Sequence, residues 1–271
     1  MKRSRPRFTA RTSCACGRLP GFEPQLKKTG PGPMQARLPL FCLALILNSF
    51  AVADEPETLS FFASAQLLSD YRFFGSSSSD GKPALQGSLH VEQEAGWYAG
   101  VFTSTVDFDD GNRTRYEFDT YAGRRLYLGD WTVSGELLYL AYDERHPGPT
   151  WDYWLGTVAV RHYFDEQGGE RWLDLAVSHT EEGSFASGRQ TELKLEGATE
   201  LPRAFRLTGN VGYGFHQESA DRFYWGLGLE RDWRQLTFGL WWVGSDQSRA
   251  QCFDTDWCDE AFLGSILLRS W

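Results

Sequence analysis

Long hydrophobic runs are missing from this sequence. A membrane-spanning helix needs about 20 consecutive apolar residues, and every apolar stretch here is interrupted well before that length. Methionine is nearly absent, with 2 in 271 residues, and 5 cysteines are too few for a small disulfide-dense protein. Basic residues number 27 against 36 acidic ones, and the resulting net charge of −9 disfavours nucleic-acid binding.

Aromatic residues and glycine, by contrast, are abundant. Aromatics make up 15% of the chain and there are 28 glycines, although apolar residues reach only 41%. Disordered chains are poor in aromatics, so this composition excludes disorder. The combination is unusual for a soluble enzyme and has to be explained by the fold.

The first 53 residues have the features of an export signal. Met34 and Arg37 precede a short apolar segment at 38–47, and Ala-Val-Ala follows at 51–53. This order predicts a secretory signal peptide over 34–53, cleaved between Ala53 and Asp54. Residues 1–33 are basic and lack any apolar period, and we interpret them as an extension from a start codon assigned too early. The expected mature domain is 54–271.

Removing the leader changes the charge and the cysteine count. Residues 54–271 carry 18 basic and 35 acidic residues, a net charge of −17. Cys252 and Cys258 remain, and an exported chain is expected to pair them as a disulfide. A metal site is the alternative, but no histidine lies close by in the sequence, so we expect no metal and no cofactor.

Alternation of apolar and polar residues recurs throughout 54–271, whereas helical periodicity is not found. Tight turns and longer polar loops separate the alternating segments in turn. The pattern predicts an all-β protein, an antiparallel transmembrane β-barrel of twelve strands. The predicted strands are 58–74, 84–95, 97–107, 115–127, 131–142, 151–164, 171–180, 190–198, 204–216, 222–232, 234–244 and 260–271.

Three features favour a membrane barrel over a soluble lipocalin-like barrel, which has the same alternation. Charged residues occur in the middle of the polar faces, as a wet lumen allows. The chain ends in Trp271, and a terminal aromatic residue is a signal for barrel assembly. Aromatics at strand ends predict girdles at the membrane interfaces, and they are Tyr71, Phe73, Trp97, Tyr98, Tyr116, Trp131, Trp151, Trp172, Phe205 and Trp233.

The polar faces supply candidates for the lining of a pore. Eight of the twelve candidates are acidic, which predicts weak preference for cations in an open lumen. The alternative is that acids and arginines pair across the lumen and close it. The predicted lumen-lining residues are Asp70, Arg72, Glu92, Glu94, Glu117, Asp119, Arg125, Glu136, Glu192, Lys194, Glu196 and Arg206.

Part of the sequence resembles a known family. The segments that carry the resemblance are Ser69–Gly75, Asp80–Gly87, Gly96–Gly100, Val106–Phe108 and the ending Leu267–Trp271. They resemble the TorF-family porins, also named the Gcw_chp family of proteobacterial proteins. Phe74 is a departure, because the family tends to have arginine before this glycine. The resemblance implies an outer-membrane β-barrel with a channel role and no defined catalytic residues.

Together these observations predict a bacterial outer-membrane channel for passive passage of small solutes or ions. The expected partners are outer-membrane lipid, lipopolysaccharide, the barrel-assembly machinery and the passing solute, with no nucleic acid. Two alternatives stay open at this point. One is an outer-membrane enzyme of the protease or lipase kind, for which His90 beside Ser88, or the pair Glu92 and Glu94, is the nearest candidate. The other is a non-conducting structural or adhesion barrel.

Overall fold

A computed structural model describes residues 59–109, 113–144, 150–165, 171–183 and 187–269 of the chain. The predicted signal peptide, its cleavage site between Ala53 and Asp54, and the terminal Trp271 lie outside these residues. Within the described ranges, no helix is long and apolar enough to cross a membrane.

The described chain is built almost entirely of antiparallel strands. Twelve of them form a closed barrel in which each strand pairs with its neighbours in sequence and β14 pairs back to β1. Short 3-10 turns lie at Pro202–Ala204 and Arg249–Gln251. The barrel strands are β1 (Leu59–Leu68), β4 (Ala84–Gln93), β5 (Trp97–Thr105), β6 (Tyr116–Leu128), β7 (Trp131–Tyr142), β8 (Tyr153–Tyr163), β9 (Trp172–Thr180), β10 (Gln190–Leu201), β11 (Phe205–His216), β12 (Arg222–Trp233), β13 (Leu236–Ser245) and β14 (Ala261–Arg269). The predicted all-β, twelve-stranded antiparallel barrel is confirmed.

Alternation determines which side chains face outward. Along the first half of β6, Tyr116 and Phe118 are exposed while Glu117 and Asp119 are buried. Successive side chains of a strand point to opposite faces, so the polar set faces the lumen and the apolar set faces outward. The same arrangement around the barrel produces an outer belt of large apolar side chains, among them Phe61, Leu85, Leu89, Trp154, Phe215, Leu240 and Phe262.

The two ends of the barrel differ in their connections. At one end the strands are joined mostly by tight turns, as between β6 and β7, where Gly129 takes a φ of +67°. At the other end the connections are longer. We call the end with tight turns the short-turn end and the opposite one the long-loop end. Both described termini of the barrel lie at the short-turn end. Alternating short and long connections are typical of bacterial outer-membrane barrels.

The first predicted strand, 58–74, is too long. β1 ends at Leu68, and residues 69–83 leave the barrel wall, with Arg72–Phe73 (β2) pairing with Ser76–Ser77 (β3). Side chains of this stretch are buried inside the molecule, with Tyr71 and Phe73 only 2% and 1% exposed. We call residues 69–83 the inward segment.

The predicted aromatic girdles are partly wrong. Tyr116, Trp131 and Trp233 are exposed on the outer surface, as the girdle requires. Five other members of the predicted set are buried instead. Alternation assigns a face to an aromatic residue only while the strand continues, and it does not distinguish an apolar side chain that fills the lumen from one that faces lipid. The buried members are Tyr71, Phe73, Tyr98, Trp151 and Trp172.

Candidate functional site

The lumen contains most of the charged residues predicted to line it. Asp70 and Arg72 belong to the inward segment rather than to a wall strand, which corrects their predicted location. Glu94 lies in the turn after β4 and is exposed, because the strand ends at Gln93. Nine candidates occupy inward-facing positions of barrel strands: Glu92, Glu117, Asp119, Arg125, Glu136, Glu192, Lys194, Glu196 and Arg206.

Opposite charges pair along the inner wall. Arg125 Nη1 lies 2.6 Å from Glu92 Oε2, and Arg161 Nη2 lies 2.7 Å from Asp174 Oδ2. Further pairs join Arg222 to Glu192 at 3.1 Å, Arg206 to Glu230 at 2.5 Å, and Lys194 to Glu196. These pairs join residues of one strand or of strands at most two apart, whereas the alternative raised by the sequence was that acids and arginines pair across the lumen and close it. Because paired charges partly cancel each other's field, an acidic composition overstates the negative potential of this lumen.

Glu92 is the centre of a network toward the short-turn end. Besides Arg125, it accepts a hydrogen bond from the Tyr127 hydroxyl at 2.6 Å, and His90 Nε2 lies 3.5 Å away. The other ring nitrogen of His90 contacts the hydroxyl of Tyr121 at 3.1 Å. A charge buried this deeply is stable only when paired and hydrogen-bonded, and Glu92 meets both conditions.

The inward segment is folded around the carboxylate of Asp70. Its two oxygens accept hydrogen bonds from Arg72 Nε at 2.6 Å, Ser77 Oγ at 2.5 Å and Ser79 Oγ at 3.0 Å. The four donor and acceptor residues come from one short stretch, so they close it into a compact hairpin. Gly75, at its tip, takes a φ of +87° and packs so closely on Tyr224 that a Cβ would stand 2.5 Å from the Tyr224 Cβ. Glycine is therefore required there.

The last long loop fastens the inward segment to the wall. We call residues 246–260 the disulfide loop, because Cys252 and Cys258 form a disulfide within it. The Trp257 carbonyl accepts hydrogen bonds from Arg72 Nη1 at 2.5 Å and from the Ser77 backbone N–H at 2.9 Å. The Trp257 indole N–H donates to Asp80 Oδ1 at 2.7 Å. These bonds connect residues that are 177 or more positions apart in sequence.

Asp80 also pairs with Lys82, which belongs to the inward segment and not to a strand of the barrel wall. Lys82 Nζ is 2.8 Å from Asp80 and 2.7 Å from Asp107. Although partial burial opposes it, hydrogen bonds from Lys82 and Trp257 hold the pKa of Asp80 below its usual value. The hydrogen bonds to Asp107 and Asp80 raise the pKa of Lys82.

An apolar layer lies in the lumen beneath these loops. Phe73 and Phe74 of the inward segment meet inward-facing side chains from both sides of the barrel, and the Phe74 ring lies 5.7 Å from that of Tyr224. All members are less than 9% exposed. We call this set the apolar layer, and it comprises Phe73, Phe74, Tyr98, Tyr121, Leu138, Leu140, Tyr153, Leu155 and Tyr224.

The sequence interpretation missed the wall residues of this layer. Among them, only Tyr98 is named from the sequence, as a girdle aromatic. On β7, Leu138 and Leu140 are buried, whereas Leu137 and Tyr139 lie on the opposite face. The sequence does contain a signal, since 137–140 is a continuous apolar run where a wet lumen predicts alternation. A strand that is apolar on both faces is buried on both faces.

The residues considered for enzyme chemistry are not arranged for it. The Ser88 hydroxyl contacts Ser64 Oγ at 2.7 Å, while both ring nitrogens of His90 are directed to Tyr121 and Glu92. A nucleophile and its base must lie within hydrogen-bond reach of each other. Glu94, the proposed partner of Glu92, is in the exposed turn. Among the described residues, no group of three or more His, Cys, Asp or Glu side chains could hold a metal ion.

The barrel resembles solved porin structures. KdgM porin aligns with a TM-score of 0.52 and 4% identity, covering 78% of this chain and 99% of that one. KdgM porin in complex with disordered oligogalacturonate gives a TM-score of 0.53 with the same identity and coverage. The NanC porin aligns with a TM-score of 0.49 and 13% identity, covering 78% and 99%. At 4% identity, the likeness to the two KdgM structures shows a shared fold.

Sequence comparison identifies the family. No curated protein matches the chain. The model of the Gcw_chp family, described as bacterial proteins of unknown function, matches residues 51–262. This match includes every segment that carries the resemblance noted in the sequence except the final five residues, and the chain belongs to the Gcw_chp family.

Proposed function

We propose that this protein is an outer-membrane channel through which small solutes or ions pass passively, and that it is a porin of the TorF type. The closed twelve-stranded barrel, its outer apolar belt and the porin-like fold support this function. A belt of apolar side chains around a closed barrel is typical of a surface that faces the lipid chains of a bilayer. The proposed surroundings are outer-membrane lipid and lipopolysaccharide, reached through a cleaved signal peptide and the barrel-assembly machinery.

The apolar layer bears on whether the channel is open or closed. Phe73 and Phe74 enter the lumen from a segment that is not part of the wall, and they complete the layer between β5–β8 and β12. A dry apolar constriction excludes water and ions. We infer from this layer that the described conformation is a closed channel, and that opening requires the inward segment to withdraw from Tyr224.

Planar-bilayer recording of the purified protein tests this function. We expect rare unitary openings for the wild type and frequent openings for Phe73→Ser/Phe74→Ser, because serine admits water to the constriction. Phe62→Ser is the matched control, since Phe62 faces the lumen from β1 outside the apolar layer. A double variant as silent as the wild type, or no unitary conductance from any of the three proteins, would contradict the proposal.

A further inference from the structure

Two aromatic rings lie flat on the inner wall of β11–β13. The Cδ2, Cε2 and Cε3 atoms of Trp241 are 2.5 to 2.7 Å from the position that a Cβ of Gly228 would occupy. Tyr224 covers Gly212 in the same way, with its Cζ 2.1 Å from the corresponding position. Glycine in a strand permits this close approach. Each ring therefore turns one face to the backbone. The other face of Trp241 is directed to the lumen, and that of Tyr224 contacts Phe74.

A polar side chain lies between the two rings. Asn210 covers Gly226, which is midway between Tyr224 and Gly228 on β12. A strand rises about 3.4 Å per residue, so the levels of the two rings are about 14 Å apart. We call Tyr224, Asn210 and Trp241 the stacking track. Trp241 and Asn210 are half-buried, whereas Tyr224 is covered by Phe74 of the inward segment.

Paired charges stand at both ends of the stacking track. Arg222 and Glu192 adjoin Tyr224, and Arg206 and Glu230 lie beyond Trp241 toward the short-turn end. Within the part of the chain that the structure describes, Tyr224 Oη, Glu192 Oε2 and Arg222 Nε make no hydrogen bond, although these residues are only 2 to 3% exposed. Buried polar atoms normally have partners, so these atoms become available as donors and acceptors for a solute when Phe74 withdraws from Tyr224.

We infer that the stacking track binds a neutral saccharide, an inference that rests on the proposed channel function. The C–H face of a sugar ring packs on a flat aromatic ring, and its hydroxyls bond to carboxylate and guanidinium groups. Because each cation on the track is paired with an acid, a neutral sugar fits better than a charged one. A saccharide on the upper ring competes with Phe74 for the face of Tyr224.

Calorimetric titration of the full-length protein in detergent micelles with maltotetraose tests this inference. Loss of one aromatic contact is worth about two- to tenfold in affinity. We therefore expect Trp241→Ala to weaken binding by about that factor and Trp241→Phe to restore part of it. Trp233→Ala is the matched control, because Trp233 is on the outer surface and 56% exposed. Heat-modifiable gel mobility verifies that each variant is folded.

Titration with two other ligands tests whether binding is specific for a neutral saccharide. Trigalacturonate, which is acidic, and adenosine, which stacks without a sugar chain, are expected to bind more weakly than maltotetraose. The inference is overturned if folded wild-type protein gives no binding heat, if Trp241→Ala and Trp233→Ala bind equally well, or if either competitor binds more tightly. Binding in micelles needs no conduction, so a protein that conducts ions but binds no saccharide refutes this inference alone.

Discussion

The indole N–H of Trp257 donates a hydrogen bond to Asp80 Oδ1 across 2.7 Å, linking the disulfide loop to the inward segment. Trp257 is 1% exposed, and its backbone carbonyl accepts from Arg72 at the same junction. The loop is thus a latch, because it holds the segment whose two phenylalanines complete the apolar layer. Changes at the latch are expected to alter opening without altering the barrel.

Trp257→Phe should increase the open fraction of the channel. Phenylalanine retains most of the buried ring but removes the hydrogen bond to a charged acceptor, which is worth about 1.5 kcal/mol at the lower end of its range. That loss corresponds to a roughly tenfold shift toward open states. Single-channel recording measures it, with Trp233→Phe on the outer surface as the control. Equal open fractions in the two variants would refute the latch.

The disulfide should stabilise the loop rather than the barrel. Closing the short ring between Cys252 and Cys258 is worth about 2 kcal/mol on chain-entropy grounds. In Cys252→Ser/Cys258→Ser we expect faster proteolysis within 246–260 and more frequent channel opening. The heat-modifiable mobility of the barrel should not change, because its strand ladder does not include this loop. A barrel that fails to assemble would contradict this division of roles.

The strands of the barrel wall can be predicted from the sequence, because period-two alternation and turn residues depend only on neighbouring residues. Which side chains fill the lumen depends instead on contacts between residues that are distant in sequence. Tyr71 and Phe73 continue the alternation of β1 past Leu68, so pattern alone extends the strand, although the chain turns inward there. The decisive contacts join Arg72 and Asp80 to Trp257, which periodicity does not pair. The segment Ser69–Gly75 carries part of the family resemblance, but its place inside the lumen depends on contacts with residues distant in sequence.

Arg206→Gln should make the open channel more cation-selective. Arg206 pairs with Glu230 and lies 3.3 Å from Asp232, so its loss removes one positive charge beside two acids of the inner wall. Fixed charge of one sign favours passage of the opposite sign. Reversal potentials in a salt gradient measure this, in the Phe73→Ser/Phe74→Ser background so that currents are large. Arg231→Gln, on the outer face of the neighbouring strand β12, should leave the reversal potential unchanged.

Acid should release the latch, and neutral pH should not. Asp80 has a lowered pKa in the folded state, caused by Lys82 and Trp257 against the effect of partial burial. A carboxyl group with a lowered pKa stabilises the latch fully at pH values above its usual pKa of 3.8. This stabilisation is lost as the pH falls through the lower pKa of the folded state. Lys82 has a raised pKa, so its contribution is complete below 10.5 and is lost only at higher pH.

The contribution of Asp80 and Lys82 to closure should therefore be constant between about pH 5 and pH 9. The open fraction should rise as the pH falls from 3.8 toward the lower folded pKa of Asp80, where the carboxylate becomes protonated. Bilayer recordings across this range measure the effect. Asp80→Asn removes the charge but retains an oxygen that accepts from Trp257, so it should open more often at neutral pH and lose most of the acid response. An identical acid response in wild type and Asp80→Asn would show that another group releases the inward segment.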